Sequence, residues 1–435
     1  MSAQAQQAAT RSALRRGWCP STLKPMETGD GWLVRLHPPG GVLAPTQLAR
    51  IAALAQQHGN GLIEISARGN MQLRGVSART HPALVEALLD ERLVDEHDGD
   101  GPQRLTLVSP LAGCDRSDLI DAAALAEAIE ARGRQVPGLP AKTLVVVDGG
   151  GAISLDGFPA DLRVQGLAAG QVAIGLPHGG WRGPVSVAAV PAAIEAILRG
   201  FADQHADAPE SIRRLRDLPS ERLTSLCDLP AIGAPAPRPV PARAGLFALG
   251  ENRFAAIAAL PFGRCDAEVL AALGQAAAGH GTSSLRLSPW RGIACLGLAE
   301  ESARAWLMEA LRLGLIVGDG DPRLSVQACA GKPACLRAES DAMGDAARLA
   351  EAAAPLLAAG VSLHVSGCIK SCAHPGAADL TLTGRQGRYD VVLHGTTRDK
   401  AIAALDLSEI LRRLQPGQDF FARLTTAGRN AEPAA

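Results

Sequence analysis

The chain has 435 residues, 20% of them charged and 3% aromatic, with a formal net charge of −1 at pH 7. That length suits about two to four domains and leaves room for a large core. The charge balance removes any global pull toward nucleic acid or an acidic membrane, the few aromatics leave no stacking platforms for single strands, and no apolar stretch reads as a membrane span.

Residues 1–25 carry Arg11, Arg15, Arg16 and Lys24 without an acid, and read as a flexible polar tail rather than a transit peptide. A cytoplasmic protein is expected, in which nine cysteines point to metal or redox chemistry or to buried packing before disulfides. An apolar strand follows over Trp32–Leu36, then a Pro/Gly turn and an amphipathic helix over Pro45–Gln57. His58-Gly59 ends that helix, with glycine expected in the left-handed cap conformation, and alternating strands follow over Leu62–Ser66 and Met71–Val76. Shifting the sequence by 222 positions lines this module up with a second copy, matching Pro39 with Pro261, Leu48 with Leu270, His58 with His280, Ser66 with Ser288 and Gly75 with Gly297.

The expected organisation is therefore a tail (1–25), a first half-domain (26–85), a first α/β lobe (86–229), a Pro/Ala linker (230–244), a second half-domain (245–299), a second lobe (300–425) and a tail (426–435). The copies differ in chemistry. SARGNMQLRG in the first places Arg68, Gln72 and Arg74 on one strand face, whereas SPWRGIACLG in the second is mostly apolar, so one site is expected, lined by the first copy.

In the second lobe, Cys329 and Cys335 are separated by five residues, Cys368 and Cys372 by three, and 32 residues lie between the pairs. Two local pairs can converge on one centre. The spacing favours an iron–sulfur cluster and leaves structural zinc and independent burial open. Cys227, Cys265 and Cys295 lack a paired spacing and read as small buried hydrophobes. VVVDGGGAIS has glycines after a strand without the spacing of a dinucleotide fingerprint.

The two cysteine pairs, the half-domain segments WLVRLHPPGGV and SPWRGIACLGL, the strand SARGNMQLRG, and the stretches GPQRLTLVSPLAG and LPAKTLVVVDGGG together resemble the sirohaem-dependent sulfite and nitrite reductases, over nearly the whole chain. RRGWCP, PMETGDGWLVRL and VSGCIKSCAHP make the precorrin-3B synthase branch the more similar one. The resemblance implies an α+β fold: duplicated ferredoxin-like half-domains paired about a pseudo-twofold, each followed by an α/β lobe of the sirohaem/4Fe–4S type. It further implies a monooxygenase that hydroxylates precorrin-3A with γ-lactone formation in aerobic cobalamin biosynthesis, with O2 as co-substrate. A 4Fe–4S cluster would sit on Cys329, Cys335, Cys368 and Cys372. Sirohaem or a mononuclear non-haem iron would meet oxygen; His364 and His374 are candidate ligands for the latter, with hydrogen-bonded structural histidines the more frequent reading. Electrons would come from NADH through a separate reductase or ferredoxin.

By the same resemblance Arg35, Arg104 and Lys142 are the catalytic cations, and Arg68, Gln72 and Arg74 bind the carboxylate arms of the substrate. Two departures separate the chain from sulfite-type reductases. Leu144 stands where a fourth cation is expected, and His374 stands where those enzymes carry Arg after the last cysteine. A true sulfite or nitrite reductase is thus the second reading, and a non-enzymatic iron–sulfur or zinc protein the third.

Overall fold

The computed structural model describes residues 18–94, 101–414 and 424. It divides into two compact units, Met1–Met26 with Trp32–Gly318, and Glu27–Gly31 with Asp319–Ala435. Most of the expected N-terminal tail and all of the C-terminal one lie outside the described residues. Residues 18–25 do not behave as a tail. The Ser21 carbonyl accepts from the Arg35 amide (3.3 Å), and the Thr22 hydroxyl donates to the Arg35 carbonyl (3.1 Å). The Thr22 carbonyl in turn meets His81 Nε2 at 2.9 Å. The backbone polar groups of this segment thus pair with folded structure.

The first copy contains strands β1 (Met26–Thr28), β2 (Gly31–Leu36), β3 (Val42–Leu43), β4 (Leu62–Ile65) and β5 (Met71–Val76). Between β3 and β4 runs a helix, Pro45–His58. Pro45 suits its first turn, where an amide hydrogen would lack a partner anyway, and the Gln47 side chain reaches back to the Ala44 amide (2.9 Å). Leu48, Ile51, Ala52 and Ala55 recur at helical spacing and are buried. The terminating glycine differs from expectation: Gly59 has φ −123°, not a left-handed value. Glycine is required there because a Cβ would stand 2.3 Å from the Arg74 carbonyl oxygen. In the second copy Gly281 does take the left-handed conformation, with φ +82°.

The first lobe holds β6 (Thr106–Val108), β7 (Val145–Asp148), β8 (Leu162–Ala168), β9 (Gln171–Gly175), β10 (Trp181–Ser186) and β11 (Ala231–Ile232). These form one six-stranded sheet in the order β11-β10-β9-β8-β7-β6, with β6, β7 and β8 parallel. The Pro/Ala segment is tied down. Its Ala231–Ile232 pairs with β10, and Arg238 donates to the Gly151 carbonyl (3.0 Å) and ion-pairs with Asp148.

The second copy supplies β12 (Gly245–Gly250), β13 (Arg253–Ala259), β14 (Arg264–Asp266), β15 (Leu285–Ser288) and β16 (Gly292–Leu298). The two copies exchange short strands: the sheets run β1-β2-β5-β4-β14 and β12-β13-β16-β15-β3. Each copy thus completes the other's sheet, a reciprocal arrangement expected of a pseudo-twofold pair. One core joins them, including Leu36, Leu48, Ile51 and Leu73 from the first copy and Leu270, Leu273, Leu285 and Trp306 from the second copy and the helix that follows it.

The second unit carries β17 (Val326–Ala328), β18 (Leu363–Ser366), β19 (Ala378–Arg385), β20 (Arg388–Gly395) and β21 (Ala403–Leu405), paired in that order. β17, β18 and β19 are parallel and β20 reverses, so the lobe repeats the β6-to-β9 pattern of the first unit. No helix among the described residues is long and apolar enough to cross a membrane.

Candidate functional site

In the first unit a row of directly opposed residues crosses the sheet of the first copy. Arg35 on β2 faces Gln72 on β5, Gln72 faces Glu64 on β4, and Glu64 faces Arg264 on the exchanged β14. Arg35 Nε and Nη2 both donate to Gln72 Oε1, at 3.0 and 2.6 Å. Gln72 Nε2 donates to Glu64 Oε2 (2.9 Å), and Arg264 donates to Glu64 Oε1 through Nε (3.0 Å) and Nη2 (2.5 Å). Arg74, two residues along β5, is 2% exposed and pairs with Glu64 Oε2 at 3.3 Å. Desolvation pulls the Arg35 guanidinium below its ordinary pKa, opposed by the Cys19 thiol and Glu64.

The counterparts in the second copy show how specific this row is. At the same register Ile257 faces Ala294, Ala294 faces Arg286, and Arg286 faces Val42. Ile257 and Ala294 pack in an apolar cluster with Leu111, Ile153 and Leu296, and Arg286 donates to the Ala112 carbonyl. The same fold half therefore closes without a charged row.

Arg68 sits on the turn between β4 and β5, and its Nη2 donates to the Lys142 carbonyl (3.2 Å). Desolvation, then the like charge of Arg214, lowers its pKa to about 10. Arg104 Nη1 donates to the Gly69 carbonyl (3.1 Å), and desolvation is also the main cause lowering the pKa of Arg104. Gly41 lies against this guanidinium, where a Cβ would stand 3.1 Å from Nη2. Arg68, Arg104 and the backbone at Lys142 are thus interlocked, while the Lys142 side chain is exposed. Leu144 is 3% exposed and packs with Leu107, Val146, Leu155, Phe158 and Trp290.

In the second unit the cysteine pairs leave the carboxyl ends of adjacent parallel strands. Cys329 follows β17 and Cys368 follows β18, with Ala328 opposite Val365. That topology brings two sequence-distant pairs together, as ligand sites generally gather at strand carboxyl ends. The Cys329 amide donates to the Val365 carbonyl (3.2 Å), and the Gly367 amide donates to Cys329 Sγ (3.1 Å). Cys372 keeps solvent contact on one side, yet desolvation is the largest cause pushing its thiol up to about 11, with repulsion from Cys329, Cys368 and Cys335 adding to it. Cys368 is raised for the same reasons. No three His, Cys, Asp or Glu side chains among the described residues stand close enough to share a single metal ion. By its chemistry alone, a set of four thiolates is the donor type that would hold an iron–sulfur cluster.

His364 and His374, the candidate ligands of a mononuclear iron, meet edge to face with ring centroids 5.6 Å apart. His374 Nε2 also faces the Ala377 carbonyl at 3.1 Å. At the matching place in the first lobe, after β6 and β7, carboxylates close the loops. Asp118 accepts from the Gly151 amide (3.0 Å), Asp115 from Ala152 (2.7 Å), and Asp148 from Gly150 (2.9 Å) and Leu155 (2.7 Å). The glycine loop therefore has its amides engaged internally rather than turned toward a phosphate. Cys227 and Cys295 are buried, and Cys265 is partly so.

Sequence reasoning missed Glu64 and Arg264. Glu64 alternates correctly for the polar face of β4, a signal that was available, but Arg264 joins the row only through strand exchange.

Residues 24–91 match the nitrite/sulfite reductase ferredoxin-like half domain. The precorrin-3B synthase of a Sinorhizobium species is 36% identical over 92% of this chain and 87% of its own. The chain belongs to the precorrin-3B synthase family. This places it among oxidoreductase-type enzymes of the sulfite/nitrite reductase superfamily. The ferredoxin–nitrite reductase of Synechococcus elongatus is 26% identical, covering 92% of this chain and 88% of that one. The structure of the Mycobacterium tuberculosis NirA protein aligns with a TM-score of 0.72 at 21% identity, over 89% of this chain and 82% of that one, a likeness of fold. The chain thus shares its architecture with the NirA protein, as the half-domain motifs anticipate.

Proposed function

We propose that the chain is an oxygen-dependent monooxygenase that hydroxylates precorrin-3A, after which a ring-A acetate closes the γ-lactone of precorrin-3B. The observation that carries this reading is the 36% identity to a precorrin-3B synthase across 92% of the chain. One oxygen atom enters the macrocycle and the other leaves as water, so the step consumes two electrons and two protons. NADH supplies the electrons through a separate reductase or ferredoxin. A 4Fe–4S cluster held by Cys329, Cys335, Cys368 and Cys372 would supply single electrons, and oxygen chemistry would call for sirohaem or another iron.

The chain's own residues bind and orient. Arg35, Arg68, Arg104 and Lys142 receive ionised carboxylate arms, each charge-assisted hydrogen bond contributing about 1.5–3 kcal/mol. Partial desolvation of the three arginines strengthens such contacts. Arg74 and Gln72 act indirectly, Arg74 by holding Glu64 and Gln72 by holding Arg35. Leu144 offers an apolar cluster rather than a fourth cation, which suits a macrocycle edge over a hydrated inorganic anion. The half-domains at 26–85 and 245–299, the lobes at 86–229 and 300–425 and the linker at 230–244 are the domain division this reading uses, in a cytoplasmic enzyme.

The test uses anaerobically purified protein with an artificial electron donor. It should contain about four cluster irons and four sulfides, and any of the four cysteines changed to Ser should remove the colour while Cys227→Ser keeps it. Precorrin-3A should turn over only with oxygen, giving a product heavier by one oxygen atom that carries label from oxygen gas. Sulfide or ammonia produced from sulfite or nitrite, with no oxygen-dependent change in the tetrapyrrole, would return the chain to the reductase reading. Stoichiometric zinc without labile sulfide would remove the cluster.

A further inference from the structure

We infer that Glu64 is a positioning residue for substrate binding: its carboxylate sets which way the Gln72 amide faces, and through it the orientation of Arg35. This rests on the proposal that Arg35 receives a carboxylate arm. A glutamine amide can present either its oxygen or its nitrogen, and its two neighbours in the row decide which. Glu64 Oε2 can only accept, so it takes the Gln72 Nε2 hydrogen at 2.9 Å and turns Oε1 toward β2. There Oε1 receives Nε and Nη2 of Arg35 at 3.0 and 2.6 Å. This occupies the lateral edge of the guanidinium, so a carboxylate arm would be gripped in two parallel bonds by the end-on Nη1/Nη2 fork; the Cys19 side chain is a further hydrogen-bond partner of the same guanidinium. Arg264, donated by the other copy, holds the second Glu64 oxygen and fixes the carboxylate.

One observation separates this role from simple packing. Buried charges are costly to retain, and replacing them with apolar residues is often neutral or stabilising. The second copy made that replacement at two of the three positions: Ile257 and Ala294 stand where Arg35 and Gln72 stand, while a buried charge of the opposite sign, Arg286, stands where Glu64 stands. The fold closes there without the triad, so the first copy retains it for something the fold does not require.

The experiment is a double-mutant cycle read by binding. Anaerobic holoenzyme is titrated with uroporphyrin, a tetrapyrrole octacarboxylate, through the probe's fluorescence. Arg35→Ala should weaken binding about tenfold or more, the loss of one charge-assisted contact. Glu64→Gln should weaken it by several-fold to about tenfold in the wild-type background. In the Arg35→Ala background it should change the dissociation constant by less than about twofold, within the coupling expected of residues acting through one another. Gln72→Met should reproduce the Glu64→Gln effect, and it carries the same cycle if Glu64→Gln does not fold. Unchanged binding in both Glu64→Gln and Gln72→Met, or losses that add fully to Arg35→Ala, would overturn the inference while leaving Arg35 in the site. Unchanged binding in Arg35→Ala would overturn the placement of the site itself, and the inference with it.

Discussion

Gly29→Ala tests how the second unit shapes the loop that carries Cys335. Gly29 donates its amide to the Ala334 carbonyl at 3.2 Å, and a Cβ at this position would stand 2.1 Å from the Pro333 carbonyl oxygen and 3.2 Å from the amide nitrogens of Cys335 and Leu336. Carbon and carbonyl oxygen ordinarily approach no closer than about 3.3 Å. A methyl group therefore demands a displacement of roughly 1.2 Å, and the atom in its way is backbone, which cannot rotate aside as a flexible side chain could. Overpacking of this size costs about 1–3 kcal/mol. The larger consequence is geometric: a metal-ligand distance tolerates only about 0.2 Å, so a loop displaced by several times that would no longer present Cys335 to the proposed cluster. The variant should purify with less iron and labile sulfide than wild type, with a weakened visible absorption band and a shifted midpoint potential. It should remain folded by far-UV circular dichroism. Full iron content with an unchanged spectrum and potential would refute the reasoning. A lowered Tm with an intact cluster would also refute it, since that would mean the Glu27–Gly31 segment yields while the cysteine loop stays in place.

Leu144→Lys places an ammonium group among Leu107, Val146 and Leu155 at a position 3% exposed, so it should lower unfolding stability by about 3–5 kcal/mol in urea, whereas the volume-conserving Leu144→Met should cost less than about 1.5 kcal/mol. A lysine variant as stable as wild type would show that the side chain reaches solvent. Asp118 offers a pH test, because desolvation first, then the neighbouring Asp115, raises its pKa from 3.8 to about 7. Its folded value lies above its unfolded one, so the folded state holds the extra proton and stability falls as pH rises between about 4 and 7. Asp118→Asn keeps an oxygen to accept the Gly151 amide, and its Tm should gain on wild type as pH rises through that window; a Tm difference independent of pH would refute the assignment.

Local features of the fold were legible from residues alone. The helix at Pro45–His58 and the strands Leu62–Ile65 and Met71–Val76 follow from apolar spacing, and the 222-residue shift exposes the duplicated module because both copies bury the same faces. The paired cysteines suggested one shared centre, and in the fold the two pairs leave the ends of adjacent parallel strands. The polar strand of the first copy likewise marked Arg68, Gln72 and Arg74 as candidates.

What the tertiary structure decided lies in long-range pairing. Strand exchange carries Arg264 to Glu64, and register sets Gln72 between Glu64 and Arg35; neither contact is written in local periodicity, because alternation names a face but not the partner opposite it. The strand pattern put Arg74 beside Arg68 and Gln72 as an equal, whereas in the fold Arg74 is 2% exposed and pairs with Glu64. Gly59 needs to be glycine because of a carbonyl from β5, not because of the turn it occupies, and Gly29 because of Pro333, some 300 residues away in the chain. Composition and spacing determine which residues can do chemistry here, since side-chain type and period are local properties. Which of them face each other, and which are spent holding the others in place, depends on contacts between distant segments that exist only once the chain has closed on itself.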